Sequence, residues 1–317
     1  NGKKFYGLNK LQLHSQNNDP SQMRDRLGYW LYRQMGVPAP RSIHARVIIN
    51  GEYYGLYALI EQIDDAFTAQ NFTDGSGNVY KEIWPTDENG KARESCDFLR
   101  NLKTNTSGVP QTKIMSDFAK SIQNSESDES LKANIEKYMN IDQIISYAVV
   151  DYTIRNDDGA FHWYCDENGC GNHNFYWVEE PSKNKIHLIP WDMDNAFDNI
   201  IQDMNPVTPI ADGWGEKTNN CRSFAYGYLN IYQKSAACDK LIGGLNLYTE
   251  KFNQLKTNLL NGPLSITEAN AKIDEWANQI RNATQEAAEL HSDAISIEYW
   301  EASVENLKAQ LAHARSQ

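Results

Sequence analysis

Hydrophobic and polar positions are best ordered around residues 19–38, where Met23, Leu27, Trp30, Leu31 and Met35 fall on one face at helical spacing. The stretch NNDPSQMRDRLGYWLYRQMGVPAP also carries its own punctuation: Asp19 as cap, Pro20 at the first helical position, Gln22 completing a capping-box pattern, and Gly36 with Pro38 as the stop. The period then shortens. HARVIINGEYYGLYALIEQI holds two β-rich runs on either side of Asn50-Gly51, which predicts a tight hairpin. Helix and hairpin together predict a small β-containing lobe over residues 1–63. The chain opens on NGKKFYGLNKLQL, which reads as the middle of a β-rich segment, so this lobe is expected to be truncated.

Residues 74–130 are rich in Gly, Asn, Ser and Thr and predict surface loops with short helices between them. SLKANIEKYMNIDQIISYAVVDYTI restores helical periodicity and runs into RNDDGAFHWYC. Two short strands follow, NFYWVEE and KIHLIPWD, joined by a turn at Pro181 to Asn184. From Leu245 onward three amphipathic helices are expected. Residues 64–317 thus read as a larger, mostly helical lobe with a hairpin at about 155–195. The fold class is α+β, with two lobes around a cleft, and a length of 317 residues suffices for it.

Composition narrows the partners. Hydrophobic residues make up 40% and charged residues 23%, which excludes a disordered chain. The net charge of −12 argues against nucleic acid, whose binding depends on Lys and Arg displacing counterions, and suits a basic protein substrate. No apolar run approaches the roughly 20 residues that a membrane span needs. Cys165 and Cys170 sit in the polar loop CDENGC. They either close a disulfide, remain free thiols, or join His162 and His173 in an H-x2-C-x4-C-x2-H zinc spacing. A disulfide would favour an extracytoplasmic or secreted setting, and Cys221 with Cys238 offer a second bridge.

Acids and amides punctuate the middle of the chain: Asp157 and Asp158 at a helix end, Asn174 opening one strand, Asp192 and Asp194 closing the next. Turns favour such residues, and Asp198 could begin a helix. The alternative is that a helix end, a hairpin and a strand end converge, as they do where a kinase gathers a catalytic Asp, a metal-binding Asn and a further metal-binding Asp. The chemistry explains the residue types, because Mg²⁺ prefers carboxylate and amide oxygen and a hydroxyl nucleophile needs a carboxylate to orient it.

The wording of the chain resembles the CotH family, the spore-coat protein H atypical kinases, in order along nearly its whole length: GLNKLQLHSQNNDPSQMRDRL, INGEYYGLYALIEQID, NDDG, HNFYW, IPWDMDNAF and the helical tail ending VENLKAQLAHAR. The resemblance implies a kinase-like fold that uses ATP with Mg²⁺ or Mn²⁺ to phosphorylate Ser or Thr of a protein. Carried over by position, Asp158 is the catalytic aspartate, Asp192 the metal-binding aspartate, Asn174 the second metal ligand and Asp194 a further metal contact. Glu61 matches the hinge that would hold adenine, while Lys81 and Arg24 are the candidate cations for the nucleotide phosphates. Two departures stand out. The insertion AFHWYCDENGCGN separates NDDG from HNF, and a Cys165–Cys170 clasp would return Asn174 to the cleft. The family's R-G-x-S element and Lys-Lys-Ser-Tyr strand are not found. Two rival readings are a pseudokinase-like surface or binding protein and a glycoside hydrolase using Asp158 and Asp192 as its acid pair.

Overall fold

The expected helix begins at Arg24 rather than at Pro20, because Gln22 takes a left-handed backbone with φ 60° that no helix accommodates. Asp19 still performs the capping chemistry, across a turn: its carboxylate accepts the amides of Ser21 at 3.0 Å and Arg24 at 2.7 Å. This is seen in a computed structural model, which describes residues 10–108, 110–167, 169–198, 210–227 and 230–317. The first residues of the opening segment, 1–9, lie outside the described residues, as do residues 199–209 that follow Asp198.

Helix α1 (Arg24–Gln34) buries Leu27 and Leu31 completely and ends where Gly36 adopts φ 77°. It packs beside an antiparallel sheet of β1 (Gln12–His14), β2 (Ser42–Ile49) and β3 (Glu52–Ile60) in the order β1-β3-β2. Asn50 and Gly51 both have positive φ, 55° and 89°, as the predicted two-residue hairpin turn requires. Helix α2 (Asp65–Asn71), capped by Asp64, leads to β4 (Val79–Lys81), α3 (Ser95–Arg100) and α4 (Lys113–Gln123). The long periodic run after residue 128 resolves into α5 (Asp128–Tyr138) and α6 (Ile141–Thr153), because Asn140 caps a new helix through the amide of Gln143.

The expected hairpin forms from β7 (Phe175–Glu180) and β8 (Lys185–Pro190), turning through Asn184 at φ 51°. With β4 it makes a sheet ordered β4-β7-β8, and every residue of β7 is buried, which explains its unbroken run of large side chains. The insertion folds as β5 (Trp163–Asp166) and β6 (Gly169–Gly171), joined by β9 (Phe224–Tyr226) and β10 (Ile231–Lys234) in the order β6-β5-β10-β9. Disulfides link Cys165 to Cys170 and Cys221 to Cys238, and Cys96 is free and exposed. The zinc alternative is thereby set aside. His162 is instead buried between Gln233 and the Asp157 carbonyl.

The chain ends in α7 (Lys240–Leu245), α8 (Thr249–Asn261), α9 (Ile266–Leu290) and α10 (Ile297–Ser316). The last two reach back to the first sheet and to the turn before α1: Tyr53 donates to Ala283 O at 2.9 Å, and Trp300 Nε1 to Ser21 O at 3.2 Å. The architecture is α+β, with small antiparallel sheets and helices.

Gly28 of α1 faces the turn after β8 so closely that a Cβ there would lie 2.8 Å from Met193 Cγ and 2.9 Å from its Cβ. Gly28→Val is therefore expected to lose about 1–3 kcal/mol of unfolding free energy by overpacking. Urea unfolding checks this, and a midpoint equal to wild type would show that the turn yields freely.

Candidate active site

Helix α1 fixes the turn after β8 through three residues of one face. Tyr29 hydroxyl accepts the amide of Asp192 at 2.9 Å, Asp25 Oδ1 accepts the amide of Met193 at 2.8 Å, and Arg24 Nε donates to Ala196 O at 3.1 Å. Asp192 has φ 54°, a conformation that non-glycine residues adopt at a cost and that these bonds hold in place. The strand thus delivers Asp192 and Asp194 to a cavity of about 360 Å³ whose wall also includes His14, Ser15, Asp19 and Asp25.

Asp158 comes from the loop after α6. Asn174 Nδ2 donates to its Oδ2 at 2.8 Å and to its carbonyl at 3.1 Å, and Asn195 Nδ2 donates to the same Oδ2 at 3.2 Å. Asn174 is itself left-handed, with φ 56°, so the clasped insertion does return it to Asp158. The neighbouring Asp157 points inward and is fully buried; among the described residues neither of its carboxyl oxygens has a hydrogen-bond partner. Burial and then the charge of Asp158 push its pKa well above the ordinary carboxylate value.

The remaining acids form an electrostatic group. Burial and then Asp194 raise Asp158 to about 7. Burial and then Asp25 raise Asp192 to about 6, with Asp158 adding to the rise. Burial and then Asp192 raise Asp194 to about 7. Two residues that spacing did not reveal join them. His14 Nδ1 lies 3.4 Å from Asp25 Oδ2, and one ligand atom each from His14, Asp25 and Asp192 lie within 4.8 Å of one another. Oxygen-rich donors at this separation fit a divalent cation. No sequence motif announces the trio: His14 sits in a three-residue strand, and Asp25 reads as an ordinary acid of a first helical turn.

Lys81 stands close enough for its charge to pull Asp192 down; its Nζ is 3.5 Å from Glu82 and 5.8 Å from the Tyr176 ring centre. Arg24 is buried, and its guanidinium is taken up by Asp19, Ser21, Ala196 O and Gln310. Glu61 is held by Arg41 through contacts of 2.5 and 3.0 Å, and its own amide donates to Arg41 O. The structure therefore gathers Asp158 with Asn174, and Asp192 with Asp194 and Lys81, while Arg24 serves the frame beneath the turn.

A model of the family described as CotH kinase protein matches residues 1–316. The chain belongs to the CotH kinase family. This CotH chain is similar to inner spore coat protein H of Bacillus subtilis (strain 168), at 22% identity over 63% of its length and 53% of that protein. It is also similar to invasin CotH2 of Rhizopus delemar, at 24% identity over 60% of its length and 32% of the invasin. The matched regions thus span about half or less of these relatives. A HipA, HipB and operator DNA complex from Shewanella oneidensis MR-1 contains a chain similar over 93% of this one and 55% of itself, at 15% identity and a TM-score of 0.30, too loose a superposition to bear on the fold.

The raised acids set a pH dependence. From the ordinary value of 3.8 up to about 6 or 7, the unfolded chain has released these protons and the folded chain still holds them. Their contribution to stability therefore falls as pH rises through that window. With chelator present, the wild-type melting temperature is expected to fall more steeply between pH 5 and 7.5 than that of Asp192→Asn, by roughly the share of one carboxylate. Mn²⁺ is expected to raise it more at pH 7.5 than at pH 5, because a metal requires the deprotonated acids. Scanning calorimetry across pH reads both; parallel slopes for the two proteins would contradict the crowding of these acids.

Proposed function

We propose that this CotH chain is an atypical protein kinase that transfers the γ-phosphoryl group of ATP to Ser or Thr of a protein substrate. The observation that carries the reading is the convergence of Asp158, ordered by Asn174 and Asn195, with Asp192 and Asp194 in one electrostatic group. Residues 1–63 are assigned to the smaller lobe and 64–317 to the larger, with the nucleotide between them. The net charge of −12 favours a basic, Ser/Thr-rich partner.

In this reading Asp158 orients the acceptor hydroxyl and takes its proton. The hydroxyl oxygen bonds to the γ-phosphorus, the bond from that phosphorus to the bridging oxygen breaks, and ADP leaves. Asp192 and Asp194 would hold Mg²⁺ or Mn²⁺, which when bound neutralises charge on the phosphate oxygens. Asn174 gives its Nδ2 to Asp158, which would leave its Oδ1 for the metal. Lys81 anchors the phosphates, since the Arg24 donors are already committed. Adenine at Glu61 would use a neighbouring backbone group, because the Glu61 amide is bonded to Arg41 O. Among the described residues no helix is long and apolar enough to cross a membrane.

Incubation with ATP, Mn²⁺ and a basic Ser/Thr-rich protein, read by mass spectrometry, tests the reaction. Asp158→Asn is expected to bind nucleotide and lose transfer by about 10²-fold or more, whereas Lys81→Ala should weaken ATP binding about tenfold to a hundredfold through a lost charge-assisted contact. Nucleotide binding without transfer in the wild type would favour a pseudokinase instead, and full activity in Asp158→Asn would remove that residue from the chemistry.

A further inference from the structure

We propose that His14 and Asp25 join Asp192 as direct ligands of the cation in this site. The bound metal is then a nitrogen-accepting divalent ion such as Mn²⁺, preferred over Mg²⁺. This rests on the reading of the site as metal-dependent but goes beyond it, because two of the three ligands come from residues with no assigned role. The three donors stand on three separate elements, β1, the first turn of α1 and the turn after β8, and they already lie within 4.8 Å of one another. Neighbouring ligands bonded at roughly 2.0–2.2 Å stand about 3–3.5 Å apart, a spacing that His14 Nδ1 and Asp25 Oδ2 already have at 3.4 Å.

Each donor is also oriented by a second contact. Asp25 gives Oδ1 to the Met193 amide, and its Oδ2 faces His14. Asp192 is positioned through its own amide on Tyr29, and among the described residues no hydrogen bond is found to its carboxylate. The His14 ring lies edge-on to Trp191, with centroids 5.7 Å apart. Its Nε2 faces the Gln12 side-chain nitrogen at 3.0 Å, while Gln12 Oε1 is buried and, among the described residues, has no partner. Turning the Gln12 amide places that oxygen where Nε2–H can donate to it, which would leave the Nδ1 lone pair, 3.4 Å from Asp25 Oδ2, for a cation held between them. A ligating histidine fixed by an acceptor on its other nitrogen is the usual arrangement at metal sites. Imidazole in the set favours transition ions over Mg²⁺, which prefers oxygen. Asn174, tied to Asp158, is not one of the three.

The test is Mn²⁺ titration of the chelator-treated protein without nucleotide, followed by calorimetry and by pulsed electron paramagnetic resonance for ¹⁴N coupling to the bound ion. Wild type is expected to show imidazole coupling. His14→Ala should lose that coupling and at least about tenfold in Mn²⁺ affinity, with a smaller change for Mg²⁺. Asn174→Ala should keep the imidazole coupling, because the coupled nitrogen is that of His14. Asp25→Asn should weaken Mn²⁺ as well, and His14→Gln serves as a second variant should the removal of either side chain disturb folding in circular dichroism. Absence of nitrogen coupling in wild type, or unchanged Mn²⁺ affinity in both His14 variants, overturns the proposal. Nitrogen-coupled Mn²⁺ in a protein that transfers no phosphate would uphold the metal site and defeat the kinase reading.

Discussion

The site depends on the clasp between one face of α1 and the backbone of the turn after β8. Three hydrogen bonds seize main-chain atoms rather than side chains: the Asp192 and Met193 amides donate to Tyr29 and Asp25, and Arg24 donates to the Ala196 carbonyl. Each such bond contributes on the order of 1 kcal/mol net, yet together they offset the cost of a left-handed Asp192 and of crowding several carboxylates. Gly28 allows the helix to come close enough, and Arg24 ties the clasp to Asp19 at its own N-terminal end. Because Arg24 and Asp19 are both buried, loss of either would leave an uncompensated charge in the frame, worth about 3–5 kcal/mol.

Asp158 is steadied differently. Its own loop is suspended from neighbouring carbonyls: Tyr164 donates to Asp157 O at 2.7 Å, Asn172 donates to Ala160 O at 2.7 Å, and His162 bridges Asp157 O and Gln233. Tyr164 belongs to β5 and Gln233 to β10, so the disulfide-bonded sheet forms the scaffold of the Asp158 loop. Glu88 completes that scaffold by accepting the Cys170 amide at 2.8 Å. A helix thus holds one half of the acidic group and a disulfide-bonded sheet holds the other.

Much of this was legible where the signal is local. The Asn50-Gly51 hairpin, the β7–β8 hairpin, the C-terminal helices and the Cys165–Cys170 bridge all follow from short-range periodicity, turn chemistry or proximity in sequence. The start of α1 was misplaced because Asp19 caps across a turn that a linear pattern cannot distinguish from a helical first turn. His14 and Asp25 were invisible for a related reason. Their meaning comes from Asp192, far along the chain, and from a strand only three residues long. Arg24 illustrates the converse: its position suggested a free cation, but only the folded chain shows the four partners that occupy it.

The closing helices of the chain bear on the order in which a ribosome could deliver a finished site. Trp300 reaches Ser21, Thr284 bonds Gln22 at 2.9 Å, and Gln310 receives Arg24, so the frame around α1 is completed by residues far later in the chain. During synthesis the first sheet and α1 must wait, with their docking surfaces bare, until α9 and α10 emerge. At elongation rates of about 5–20 residues per second the wait is tens of seconds, long enough for a chaperone to engage the nascent chain. The same delay means that a chain stopped before α10 leaves the anchoring arginine without its Gln310 partner.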